Sequence, residues 1–330
     1  MKYSIRVVLF AVLGIILAST WGWCIPTVTK EFTLPNFEGS PFRPRICGDW
    51  VVDVQNVDDK ACASTSIGII VYNIPTGKAY MVFEGAAGWC SMGSTLAAWT
   101  GKSVAKIEGF CNLKGDRSGS DNPSNLILID VTTWRYYTPP LSTGPAFAPV
   151  VWSNYVAYEG KNGQIYLIDM YTGQQKQISQ ADKNNGPQIG QDLVVWQEFT
   201  DKQQIRGYRI STGEFIKITD DSGEEHRSPY TDGKTVVWWD KGVTAYDVAT
   251  RQRTKISDTG YYPDVDNGIV VYMKSSAVYA YDLVEQKEFR ISKGNSNCGP
   301  SIDGNRVIWT WKNDIYCAEL DRSGKLNAAK

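Results

Sequence analysis

The chain is poor in the residues that most enzymes and nucleic-acid binders rely on. It has a single histidine, His226, among 330 residues. One imidazole cannot build the usual zinc cages, and no Cys-x-x-Cys pair is present to supply thiolates instead. The sequence contains no Gly-x-Ser-x-Gly elbow and no phosphate-binding Gly-x-x-x-x-Gly-Lys loop. Lysines and arginines are scattered, and the net charge is only −1, which gives no reason to expect nucleic acid or an anionic membrane as partner. No cofactor is expected. Long apolar runs are also missing, apart from one at the N-terminus.

That run has a recognisable layout. Lys2 and Arg6 precede an almost wholly apolar stretch, Val7 to Ala18, and Ser19 and Thr20 follow. This is the pattern of a secretory signal peptide, and it falls short of the roughly 20 residues that span a bilayer. Residues 1–24 are therefore read as an export signal, with cuts possible after Ala18, Gly22 or Cys24. A membrane link is expected only if that signal stays uncleaved. The expected location is periplasmic, cell-surface or secreted.

What the sequence has in quantity is repetition. Lines starting at Pro187, Pro229, Pro263 and Pro300 read PQIGQDLVVW, PYTDGKTVVW, PDVDNGIVVY and PSIDGNRVIW. Each places an aromatic nine residues after the proline, at Trp196, Trp238, Tyr272 and Trp309. A fifth line runs from Pro149 to Tyr158. A sixth runs from Pro44 to Asp53, and a seventh replaces the proline with Cys90 and reaches Trp99. Second halves such as QIYLIDMYTGQQKQIS and AVYAYDLVEQKEFRIS alternate apolar and polar residues around a turn. Alternation with period two, repeated every few dozen residues, indicates four antiparallel strands per unit. Thr76-Gly77, Thr172-Gly173 and Thr212-Gly213 suit hairpins, since glycine tolerates positive φ.

The expected fold is thus all-β: a seven-bladed β-propeller of four-stranded antiparallel blades, closed by an N-terminal strand. The last unit lacks a fourth strand, and Glu31 to Pro35 is free to supply it and cover the open edge. The expected organisation is 1–24 signal, 25–43 N-terminal segment with the closing strand, 44–320 propeller and 321–330 polar tail.

The Pro-x-Ile-Asp-Gly-x-x-Val-Val-Trp lines followed by Ile-Tyr-x-Tyr-Asp-Leu resemble the TolB-like propeller repeats of exported and cell-surface proteins. The resemblance covers about residues 44 to 320 and implies a fold rather than an activity. The best-known member is a six-bladed periplasmic protein with an extra N-terminal domain, for which this chain has no room. Certain propeller pectin lyases use several histidines around a metal, which this chain cannot supply.

Function is expected where loops are long. Two connections between second and third strands look enlarged, about 55–66 and 100–124, and both would lie on the face that also carries the links between blades. Six cysteines are disulfide candidates in an exported chain. Cys47 with Cys62, and Cys90 with Cys111, would tether those loops, each closure stabilising by about 3 kcal/mol. Cys298 and Cys317 are left over, and an intervening strand would hold them about 9–10 Å apart. The same face should carry the charged run Glu224, Glu225, His226 and Arg227, capable of proton transfer or simply solvated. Trp89, Lys114, Asp116 and Arg117 complete the binding-face candidates. Asp130, Asp169, Asp247 and Asp282 recur at one repeat position and read as turn-forming carboxylates rather than a cluster. Trp134, Trp239 and Trp311 stand outside the repeated aromatic position and could fill blade edges or stack on a ligand. The leading expectation is a binding module for a protein or glycan at the envelope or outside. A glycan hydrolase or lyase, or a TolB-like envelope assembly factor, are the alternatives.

Overall fold

A computed structural model describes residues 26–34, 39–41, 44–58, 65–86, 95–99, 126–130, 134–137, 139–143, 146–220, 225–296 and 298–321. The chain folds as an all-β propeller, with six blades rather than the expected seven. In chain order these span residues 39–86, 146–177, 184–217, 227–257, 261–290 and 301–321. The remaining stretch, where another blade was expected, forms a three-stranded sheet of Thr95–Trp99, Leu126–Asp130 and Arg135–Tyr137. Its first two strands run parallel, Thr95 facing Leu126 and Trp99 facing Asp130. Repeat spacing alone could not reveal this. A short turn forces antiparallel pairing, but a link as long as 100–125 can return the chain in either direction.

The recurring Val-Val pair and aromatic follow from burial on both faces of each blade. In the 184–217 blade, Val194 and Trp196 pack against Val150 and Leu167 of the preceding blade. Val195, pointing the other way, packs against Val236 and Trp238 of the following one. Successive side chains in a strand alternate faces, so a sheet sandwiched between two others needs apolar residues at adjacent positions. Tyr158, Trp196, Trp238, Tyr272 and Trp309 are all fully buried in this way.

The repeat proline has its own cause. Ladder registers shift between Phe147 and Val150, Asn185 and Gln188, Arg227 and Tyr230, and Tyr261 and Asp264. Each bulge contains the proline, preceded by a residue in the left-handed region: Ala148 (φ 44°), Gly186 (59°), Ser228 (49°) and Tyr262 (53°). Proline lacks a ladder donor, so it is tolerated on an edge strand or at a bulge, and here it occupies both. The closing Ile-Ser or Ile-Thr also has a task. Ser179, Thr219 and Ser292 hydroxyls accept from the backbone N–H of Ile165, Ile205 and Val278 at 2.8–2.9 Å, satisfying donors near the start of the third strand in three blades.

The last blade is completed by Thr27–Thr33, which pairs antiparallel with Asp314–Asp321, Thr27 facing Asp321 and Thr33 facing Tyr316. The closing strand thus begins four residues before the expected Glu31. Leu34, just beyond it, is buried with Ile308 and Cys317. Much of the expected 55–66 loop is likewise strand: Trp50–Asp58 and Thr65–Asn73 pair up to Asp58 and Thr65. No helix among the described residues is long and apolar enough to cross a membrane.

Candidate functional site

The first strands of successive blades lie against one another around the axis, which places the residue after each repeat proline at the centre. Those residues are Arg45, Val150, Gln188, Tyr230, Asp264 and Ser301. Flanking positions repeat while this one changes from cation to apolar, amide, phenol, acid and hydroxyl. That contrast was the available signal, and a reading centred on the constant positions passes over it.

The polar members meet. Arg45 donates from Nη2 to the Tyr230 hydroxyl, and its guanidinium lies 4.5 Å from the Tyr230 ring centroid. Its Nη1 is 3.8 Å from Asp264 Oδ2, with both side chains buried. The same oxygen accepts from Ser301 Oγ at 3.0 Å and Ile302 N at 3.2 Å. One arginine therefore joins blades 39–86, 227–257 and 261–290, and the aspartate carries the connection to 301–321. Burial pushes up the Cys298 thiol beside this cluster; the Asp53 charge adds to the rise, while Thr310 hydrogen bonds and the Arg45 charge oppose it. A buried charge that is paired and hydrogen-bonded is held in one geometry, which suits an axial tie.

Above the cluster, on the face carrying the links between blades, lies an aromatic rim. Tyr262 is two residues before Asp264, and its ring packs edge-on against Trp239 at 5.2 Å and Tyr261 at 5.3 Å. Tyr262 remains 38% exposed. Gly299, before the next repeat proline, abuts it: an added Cβ would come within 2.7 Å of the Tyr262 Cβ.

His226 is neither solvated nor open to a substrate. It is 2% exposed, its Nδ1 is 2.9 Å from Asp240 Oδ2, and its ring meets Trp238 edge-on at 5.7 Å. Its backbone N–H donates to Gln203 O at 2.9 Å. The His226–Asp240 pair thus fastens the entry of one blade to its second strand. Glu225 and Arg227 are exposed partners of one another, and the hydrogen bond and charge of Arg227 hold the Glu225 carboxyl below its ordinary range. Glu224, Trp89, Lys114, Asp116 and Arg117 lie outside the described residues, as do Cys62, Cys90, Cys111, the 1–24 signal and most of the 321–330 tail.

Cys298 and Cys317, left over in the sequence reading, are not bonded to one another. Cys298 Sγ lies 2.9 Å from Thr310 Oγ1, whereas Cys317 faces Ile308 and packs with Leu34 and Tyr72. They sit at different levels of the blade with a strand between them. Burial pushes the Cys317 thiol up to about 12. Cys47 pairs with Trp50, at the opposite end of the Trp50–Asp58 strand from the 59–64 link that it was expected to tether.

Three of the recurring aspartates are turn residues, and the Asp130 side chain lies outside the described ones. Asp169 Oδ1 accepts from Tyr171 N and Asn154 Nδ2, Asp247 Oδ1 from Thr250 N, and Asp282 Oδ1 from Val284 N, all at 2.7–2.9 Å. Among the described residues no three His, Cys, Asp or Glu side chains converge as a metal site would require.

No family model matches the sequence, and no curated protein matches it. Solved structures do. The propeller domain of the trilobed protease from Pyrococcus furiosus aligns with 90% of this chain and 100% of its own, at 12% identity and TM-score 0.60. Oligogalacturonate lyase from Vibrio parahaemolyticus aligns over 92% of this chain and 100% of its own, at 12% identity and TM-score 0.58. This is a β-propeller. TolB from Acinetobacter baumannii also aligns, at 15% identity over 82% of this chain and 80% of that one, with TM-score 0.41. At such identities the likeness to the protease domain and to the lyase establishes the propeller and nothing about chemistry.

Proposed function

We propose that this propeller is an interaction module, working at the cell envelope or outside the cell, whose loop face receives a partner protein. One observation carries the reading. Of the four left-handed positions before a repeat proline among the described residues, three hold alanine, glycine or serine, and the fourth holds Tyr262. A bulky side chain at φ 53° is strained by about 1–2 kcal/mol, and such strain persists where the side chain has a use. Tyr262 puts an exposed ring on the loop face, backed by Trp239 and Tyr261, and Trp239 in turn faces Arg227 of the exposed Glu225–Arg227 pair across the ladder. Tyrosine, tryptophan and arginine are the residues that anchor protein interfaces.

The test is photo-crosslinking with benzoylphenylalanine at Tyr262 in cells that make the protein, with the same label at Tyr171 on the opposite face as control. A discrete adduct formed from position 262 alone, and at least tenfold less of it in a Trp239→Ala background, is the expected result. Equal labelling from both positions overturns the reading. So does turnover of a polysaccharide by the purified protein that is abolished by changing one acid.

A further inference from the structure

The opposite face, built from the turns inside each blade, carries a second outlier. Links between third and fourth strands place a left-handed residue at Gly77 (φ 65°), Gly173 (71°), Gly213 (73°), Arg251 (59°) and Gln286 (53°). In the three-stranded sheet the corresponding residue is Trp134, at φ 55°. Trp134 thus stands where three of the other five units write the glycine of a Thr-Gly pair and two write Arg251 and Gln286, so the bulkiest side chain of the set occupies a backbone conformation that suits glycine best.

The Trp134 ring is not stored in the core. It is 39% exposed and lies across the neighbouring blade, 4.9 Å from Tyr80 and 6.1 Å from Trp50. Tyr80 is itself 36% exposed. Strand register explains the grouping. Trp50 faces Asn73, Asn73 faces Lys78, and Tyr80 lies two residues beyond Lys78, so all four share one side of the 39–86 blade. Asn73 Oδ1 accepts from Thr76 N at 3.1 Å and from Thr76 Oγ1 at 2.8 Å, which leaves its Nδ2 hydrogens for an outside acceptor. Lys78 is exposed beside it.

We propose that Trp134, Tyr80 and Trp50, rimmed by Asn73 and Lys78, form a carbohydrate-stacking site on the turn face. The chemistry matches a pyranose. Its axial C–H face is weakly positive and lies on the negative face of an aromatic ring, while its equatorial hydroxyls accept from amide and ammonium donors at the edge. A stable protein partner would cover about 800 Å² on each side. Here the apolar surface is confined to two partly exposed rings among polar turn residues, a size suited to a sugar. The site is independent of the loop face, because it lies at the other end of the strands.

The experiment is affinity electrophoresis of the purified chain through gels containing hydroxyethylcellulose, xyloglucan, mannan or glycol chitin, paired with thermal melts. Retardation by at least one polymer is expected, and it is lost in Trp134→Gly and in Tyr80→Ala but kept in Tyr262→Ala. Trp134→Gly should keep a cooperative melt lowered by no more than about 5 °C, because relief of the left-handed backbone offsets part of the packing lost against Tyr80 and Trp50. The proposal fails if no polymer retards the chain, if either loss variant is retarded as before, or if Trp134→Gly melts many degrees lower, which would make the ring a structural wedge. Retardation lost in Tyr262→Ala but not in Trp134→Gly would overturn this site and move glycan binding to the loop face.

Discussion

Two populations of aromatic side chains divide this molecule. Between the blades, Tyr158, Trp196, Trp238, Tyr272 and Trp309 obey the repeat, are fully buried, and stand on ordinary strand backbone. At the two ends, Tyr262 and Trp134 break the repeat, remain more than a third exposed, and stand on left-handed backbone. The first group is where folding selects the residue, since any sheet packed between two others must fill the gap. The second group stands on left-handed backbone, which favours glycine and gives no preference for an aromatic ring over a smaller side chain. Departure from a repeat, at a position whose physical demand is known, is more informative about function than the repeat itself.

The sharpest way to break the contrast is to remove a member of the first group. Trp309 is stacked on Tyr316 and packed against Val271 and Ala280 of the preceding blade. Trp309→Ala should lower the unfolding free energy by about 3–5 kcal/mol, measured by urea denaturation. A change below about 1 kcal/mol would mean that the gaps between blades are not the main apolar core.

A smaller effect isolates the backbone demand at the bulge. Gly186 has nothing within 4 Å of where a Cβ would stand, so Gly186→Ala adds only conformational strain and should cost about 1 kcal/mol. Ser228→Gly, at the equivalent bulge, should gain about 0.5 kcal/mol, the relief of strain exceeding the added freedom of the unfolded chain. Opposite signs from the two exchanges would confirm that Tyr262 occupies a position unsuited to it. Equal signs would remove that argument.

The smallest effect concerns the repeat aspartates. The Thr250 backbone hydrogen bond, foremost, holds the Asp247 carboxyl below its ordinary range. Its folded pKa is depressed, so its contribution is present above the unfolded value of about 4 and is lost as pH falls through the folded value. Asp247 is exposed, and solvent screening reduces that contribution to a few tenths of a kcal/mol. Asp247→Asn should show this loss at pH 7 and none near pH 2.5, by melts across that range. A loss that persists at the acid end would point to turn geometry rather than charge.

Much of the fold could be read from residues alone, because period-two alternation, the doubled β-branched pair and the turn glycines each answer to a local rule. The turn role of Asp169, Asp247 and Asp282 was legible for the same reason. The blade count was not. Thr95–Trp99 has the right residues for a blade, but strand direction after a 26-residue link is set by what the strand packs against. The site was legible only in part. His226 stood out as the lone histidine, yet its burial against Trp238 and its bond to Asp240 arise from another strand of the same blade. Arg45, Tyr230 and Asp264 went unnoticed because they lie far apart in the chain and become neighbours only when the ring closes.

By itself, then, the sequence determined strands, turns, bulges and the burial of one aromatic per unit, since these depend on neighbours within a dozen residues. Only the tertiary structure decided how many sheets are true blades, which end of each strand an exposed ring crowns, and which side chains meet on the axis. The closing strand was legible as the missing fourth strand of the last unit, but its register, Thr27 on Asp321 and Thr33 on Tyr316, and the six-blade count depend on contacts between segments far apart in the chain.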